Sequence, residues 1–162
     1  MPPSTPSGPP GRPTDPAAPN QPWPVPEPAD VLHYAYLWSR EHDSGHEEAT
    51  KDRPVVVVIA RIAQADLTEL LVAPITHSPP RPGEGIELPQ PIERRLGLDD
   101  ARSLIVTTEM NRFVWPGPDI RPVPGEEAPL YGVIPAGLYE ALRTEIVRNA
   151  TANNMRMPKR SE

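Results

Sequence analysis

The strongest feature of the hydrophobic pattern is Val55 to Ile59, an unbroken run of apolar β-branched residues. Polar Asp52 and Arg53 precede it, and Pro54 stands at its edge, where a missing N–H costs no ladder bond. The run therefore predicts a strand buried on both faces, from Pro54 to about Ile62. Gln64 to Asp66 reads as a turn, and Thr68 to Thr76 returns as a second apolar strand. Such close neighbours form an antiparallel hairpin. The Pro74-Ile75-Thr76-His77 end then comes back beside Arg53.

Upstream, Val31 to Trp38 is rich in aromatics and apolar at both alternating sets of positions, which predicts a strand covered on both sides. The connection to the valine strand is long and charged, with Arg40, Glu41, His42, Asp43, His46, Glu47, Glu48, Lys51 and Asp52. Loops of that length inside small domains are often functional. Downstream, short strands are expected at Ile86 to Leu88, Ser103 to Thr108 and Tyr131 to Ile134. Pro91 opens a brief helix over Ile92 to Leu96, and Gly97 closes it. The run Met110 to Trp115 breaks at Pro116-Gly117-Pro118. From Pro135 to about Asn149, Leu138, Leu142 and Ile146 recur at four-residue steps with Tyr139 beside them, a helix with one packed face. About five strands, one hairpin and one C-terminal helix predict a mainly β fold, a small bent sheet or SH3-like barrel capped by a helix.

Composition sets the limits of that domain. Residues 1–28 hold 12 of the 26 prolines, a composition for a disordered, extended arm with PxxP steps such as Pro10 to Pro13. The folded domain is expected over 29–150, with a polar, frayed tail over 151–162. The net charge of -6 argues against a broad basic footprint for nucleic acid, though not against a local phosphate site. Absence of cysteine excludes disulfides and thiolate chemistry. No apolar stretch approaches a membrane span and the N-terminus lacks a signal-peptide core, so no membrane partner and a cytoplasmic location are expected.

Among candidate chemical groups, Arg53 comes first because a guanidinium fork matches phosphate oxygens and stays charged. Thr76 offers a hydroxyl at the end of the return strand, so the hairpin makes the pair a candidate phosphate cradle. His77 is the best-placed acid or base by residue type, although neighbours on a strand point to opposite faces. Glu109 and Arg112 suggest an ion pair bridging strand and loop. His42, Asp43, His46 and Glu47 have metal-capable side chains, but a flexible acidic loop is no preformed ligand set, and no metal site is expected. His33 reads as a strand residue with a satisfied ring, and Trp38 and Trp115 as core or interface residues. Glycine-rich phosphate loops, serine elbows and paired-carboxylate signatures are missing.

The order of these features resembles the MazF/PemK-like toxins of bacterial toxin–antitoxin systems. The resemblance rests on Asp30-Val31, the loop Glu41 to Asp52, Arg53-Pro54-Val55-Val56-Val57-Val58 and Val72-Ala73-Pro74-Ile75-Thr76. It continues through Ile86-Glu87-Leu88-Pro89 and Ser103-Leu104-Ile105-Val106 to Glu109 and Arg112. Ala29 stands where that family opens with glycine. The resemblance implies an SH3-like barrel, a homodimer and a cofactor-free, metal-independent endoribonuclease acting on single-stranded RNA under control of a cognate antitoxin. Carried over, Arg53 and Thr76 are the catalytic pair; the resemblance assigns no general base, for which His77 and Glu41 are the candidates by residue type, and Lys51, Glu109 and Arg112 are candidates for groove or supporting residues. The implied reaction is attack of the substrate's 2′-hydroxyl on the adjacent phosphorus, giving a 2′,3′-cyclic phosphate and a 5′-hydroxyl. The alternatives are a catalytically inactive SH3-like module binding a protein or peptide, and, less favoured by the Arg-Pro and Ile-Thr motifs, a CcdB-like topoisomerase poison.

Overall fold

The valine run lies in the second strand of a seven-stranded antiparallel sheet. The computed structural model describes residues 23–38, 52–62, 66–77, 83–98 and 102–158. Its strands are β1 (Asp30–Ala35), β2 (Asp52–Ile62), β3 (Thr68–Thr76), β4 (Gly85–Glu87), β5 (Leu104–Val106), β6 (Asn111–Val114) and β7 (Leu130–Val133). Helix α1 covers Gln90–Leu96 and helix α2 covers Ala136–Thr151. Pairing follows the order β4-β5-β3-β2-β1-β7, with β6 attached to β3. The path is open, with β4 and β7 as its two ends.

Strand alternation divides the β2 valines between two cores. Val56 and Val58 join Val31, Leu71, Ala73 and Ile75 beneath the helices, where Leu96 of α1 and Leu142 and Ile146 of α2 pack. Val55 and Val57 join Leu32, Tyr34, Tyr36, Leu70, Val72, Phe113 and Trp115 on the other face. Two-sided burial explains why this strand carries no polar alternation. Its burial ends at Ile59, which is exposed, because the register with β3 shifts between Val57 and Ile59. The shift leaves Val58 outside the ladder, and its carbonyl accepts a 2.7 Å hydrogen bond from the Tyr139 hydroxyl of α2. A bulge thereby anchors the helix to the sheet.

Strand β3 changes partner along its length. Glu69 to Val72 pair with β6, whereas Ile75 and Thr76 pair with β5. The sequence pattern held no element at β6, because its four residues alternate only weakly and gain their place from the β3 edge they complete. Helix α1 ends as expected, with Gly97 in the left-handed region at φ 78°.

Several boundaries differ from expectation. Strand β2 starts at Asp52, so Arg53 is a strand residue rather than a residue before one. It is held there by pairing of Tyr34 with Arg53 and of Ala35 with Asp52. Pro54, the next residue, is tolerated because His33, its partner, turns both backbone groups the other way, to the Pro129 carbonyl and the Arg121 amide. Residues 23–28, expected in the disordered arm, contribute Trp23 and Val25 as cover for the aromatic core. Beyond α2 the chain does not fray at once. Met110 and Arg112 donate to the carbonyls of Arg156 and Pro158, and Arg156 donates to Thr108. Among the described residues no helix is long and apolar enough to cross a membrane.

Candidate functional site

The hairpin brings Arg53 and Thr76 to the same end of β2 and β3. Val55 pairs with Pro74 and Val56 with Ala73, so continuing the ladder by two steps sets Arg53 opposite Thr76. The ladder itself stops at Val55, one residue short of Pro54, which has no N–H to donate. The two strand ends thus part at a cavity of about 550 Å³, and both Arg53 and Thr76 are on its wall.

Parity then sorts the side chains. Arg53 shares its face of β2 with Val55 and Val57, and Thr76 shares its face of β3 with Leu70 and Val72, so both belong to the aromatic layer. Consistent with this, the Arg53 guanidinium lies 5.0 Å over the Trp38 ring. Trp38 meets Tyr36 edge-on at 5.1 Å, and the Tyr36 hydroxyl donates to Glu109 at 3.0 Å. Burial raises the Tyr36 pKa well above its ordinary value; the nearby Glu109 charge and its hydrogen bond push the same way, and Arg53 opposes them. Tyr36 therefore remains a neutral donor that holds the buried Glu109 carboxylate.

Asn111 fixes this layer from below. Its side chain accepts from the Leu37 amide at 2.9 Å and donates to the Leu37 carbonyl at 2.8 Å, standing in for a ladder partner just past β1. That pins the residue before Trp38. Asn111 was not recognisable as site support, since its contacts with Leu37 join segments more than 70 residues apart in sequence, and the Trp38 platform was hidden by the long connection between β1 and β2.

The opposite layer supplies a different set. His33, Asp52, Pro54, His77, Ser103 and Tyr131 line the same cavity. His33 Nδ1 is 2.7 Å from the Tyr131 hydroxyl, and its Nε2 is 3.9 Å from Asp52, which Arg121 also approaches at 3.9 Å. Desolvation lowers the His33 pKa below 6.5, against the Asp52 charge and with the Arg121 charge. His77 is exposed, and its Nδ1–H donates to the Arg102 carbonyl at 3.1 Å. His77 lies one residue beyond the end of β3, so strand alternation does not separate it from Thr76, and both line the cavity.

The remaining sequence candidates separate. Glu109 is buried against Tyr36, while Arg112 lies 3.9 Å from Glu69 on β3. The strand-to-loop ion pair expected of Glu109 and Arg112 is replaced by these contacts, because β6 pairs with β3 and carries Arg112 to the Glu69 side. Glu41 and Lys51, like His42, Asp43, His46 and Glu47, lie outside the described residues.

Chemically, the Arg53 layer offers a fixed guanidinium and a hydroxyl at adjacent strand ends, a pairing suited to an anionic oxygen. The cavity beside it has a carboxylate, two imidazoles and apolar walls. Compared with protein-family models and with curated proteins, the chain matches none.

Proposed function

We propose that this chain is a MazF/PemK-like endoribonuclease that cleaves single-stranded RNA without a metal, using Arg53 and Thr76. The observation that carries the reading is that Arg53 and Thr76 line one cavity at the open end of the β2–β3 hairpin, where extending the register by two steps would set them opposite each other. The 2′-hydroxyl oxygen bonds to the adjacent phosphorus as the bond to the 5′-oxygen breaks. Arg53 meets the extra negative charge of the phosphorane, Thr76 donates to a non-bridging oxygen, and the departing 5′-oxygen takes a proton from water. Glu41 or His77 serves as the base for the 2′-hydroxyl proton. A preorganised donor of this kind contributes about 3 kcal/mol to the transition state.

Two further observations support the family reading. Ala29 holds φ 81°, a conformation natural to glycine, at the position where the family opens with glycine. Strand β3 changes partner from β6 to β5 along its length, which is compatible with the bent sheet that the family reading calls for. The family reading also carries a homodimer, a cognate antitoxin and a cytoplasmic mRNA substrate.

The test is incubation of purified protein with RNA and excess chelator. Fragments ending in 2′,3′-cyclic phosphate are expected from the native chain and not from folded Arg53→Ala or Thr76→Val. One observation favours an inactive, protein-binding module instead: the Arg53 guanidinium already has a structural seat on Trp38. On that reading the native chain leaves RNA intact, and Arg53→Ala changes stability alone.

A further inference from the structure

The cavity wall beside the proposed catalytic pair carries a carboxylate that can accept hydrogen bonds. Asp52 is an acceptor only, and its side chain is 45% exposed. His33 and Arg121 each approach it at 3.9 Å, within ion-pair range and beyond hydrogen-bond length, so its lone pairs retain capacity. His77, on the same wall, gives its Nδ1–H to the Arg102 carbonyl. The apolar part of the wall comes from Pro54, Leu98, Pro124 and the Tyr131 ring. At about 550 Å³ the volume falls among those of small-molecule sites, about 300–1,000 Å³.

We propose that this cavity takes an amino-bearing nucleobase of the RNA, stacked on Tyr131 and read at its edge by Asp52. The assignment rests on the ribonuclease reading for its choice of ligand, and on the cavity's own chemistry for its preference. Single-stranded RNA is recognised by stacking a splayed base on an aromatic ring and bonding its edge. A carboxylate accepts from the amino group of cytosine. Uracil has a carbonyl oxygen at that position, which Asp52 repels. Asp52 leaves β2 on the helix-side face and Arg53 on the aromatic face, so one strand end positions both base and phosphate.

The experiment is an NMR titration of the full, isotope-labelled chain with cytidine and uridine monophosphates, which differ in this edge and contain no bond for the nuclease to cut. Cytidine monophosphate should bind about tenfold or more tightly than uridine monophosphate, the discrimination of one hydrogen bond to a charged group. Its shifts should centre on Tyr131, His77, Leu98 and Ser103. Asp52→Asn should remove the preference while the spectrum stays that of the folded protein. Equal affinities, shifts centred elsewhere, no binding by either nucleotide, or a preference that survives Asp52→Asn would each overturn the assignment. Binding by a chain that cleaves no RNA upholds the pocket and removes the nuclease; cleavage without base preference does the reverse.

Discussion

Replacing Arg53 by alanine separates a catalytic from a structural arginine, because the structure assigns a size to each role. As a structural group, Arg53 stacks over Trp38 at 5.0 Å from a half-buried position. A cation–π contact of that kind contributes roughly 0.5–2 kcal/mol. As a catalytic group it stabilises the phosphorane by about 3 kcal/mol, or about a hundredfold in rate. Arg53→Ala should therefore shift the urea midpoint modestly and lower chelator-resistant RNA cleavage by about a hundredfold or more. Trp38→Leu removes the ring and keeps the guanidinium, so it should cost similar stability and much less cleavage. Arg53→Lys keeps the charge without the planar fork and should retain stability better than activity. A folded Arg53→Ala or Arg53→Lys protein cleaving within a few-fold of the native chain would refute the catalytic assignment.

Other consequences follow from the packing. Leu142, fully buried where α2 meets the sheet, should cost about 2–5 kcal/mol in urea unfolding when cut to alanine; a loss below 1 kcal/mol would mean the helix is not docked there. Ala29→Gly should raise stability by about 1 kcal/mol, since it relieves a left-handed alanine at the cost of unfolded-chain entropy; a destabilised variant would contradict that backbone conformation. His33 should titrate below 6.5 by NMR, because burial disfavours its charged form. The folded state then binds this proton less readily than the unfolded chain, so the contribution is complete above about pH 6.5 and is lost as pH falls toward the folded value. His33→Gln should flatten that part of the stability profile, and an unchanged slope would exclude His33 as its source.

Much of the site could be read from local pattern. Arg53 and Thr76 lie near the ends of two adjacent apolar strands, which their closeness in sequence pairs as a hairpin. The Gly97 cap and the packed face of α2 were legible for the same reason, since each signal lies within a few residues. The second layer of the cavity was not. His33, Asp52, Tyr131 and Ser103 come from four separate segments, and no spacing along the chain encodes their approach. The Glu109–Arg112 expectation failed for a related reason: closeness in sequence suggested a pair, but the β6 register carried Arg112 to Glu69.

By itself the sequence determined a mainly β chain with a two-faced central strand, a hairpin and one amphipathic helix, because hydrophobic periodicity records which faces are buried. Tertiary structure alone decided that Asp52 and Arg53, neighbours in sequence, serve opposite layers of one strand end. It also decided that Trp38, Tyr36 and Asn111 hold the arginine in place. The physical reason is that burial is written residue by residue, whereas partners are chosen by strand register and bulges, which depend on contacts distant in sequence.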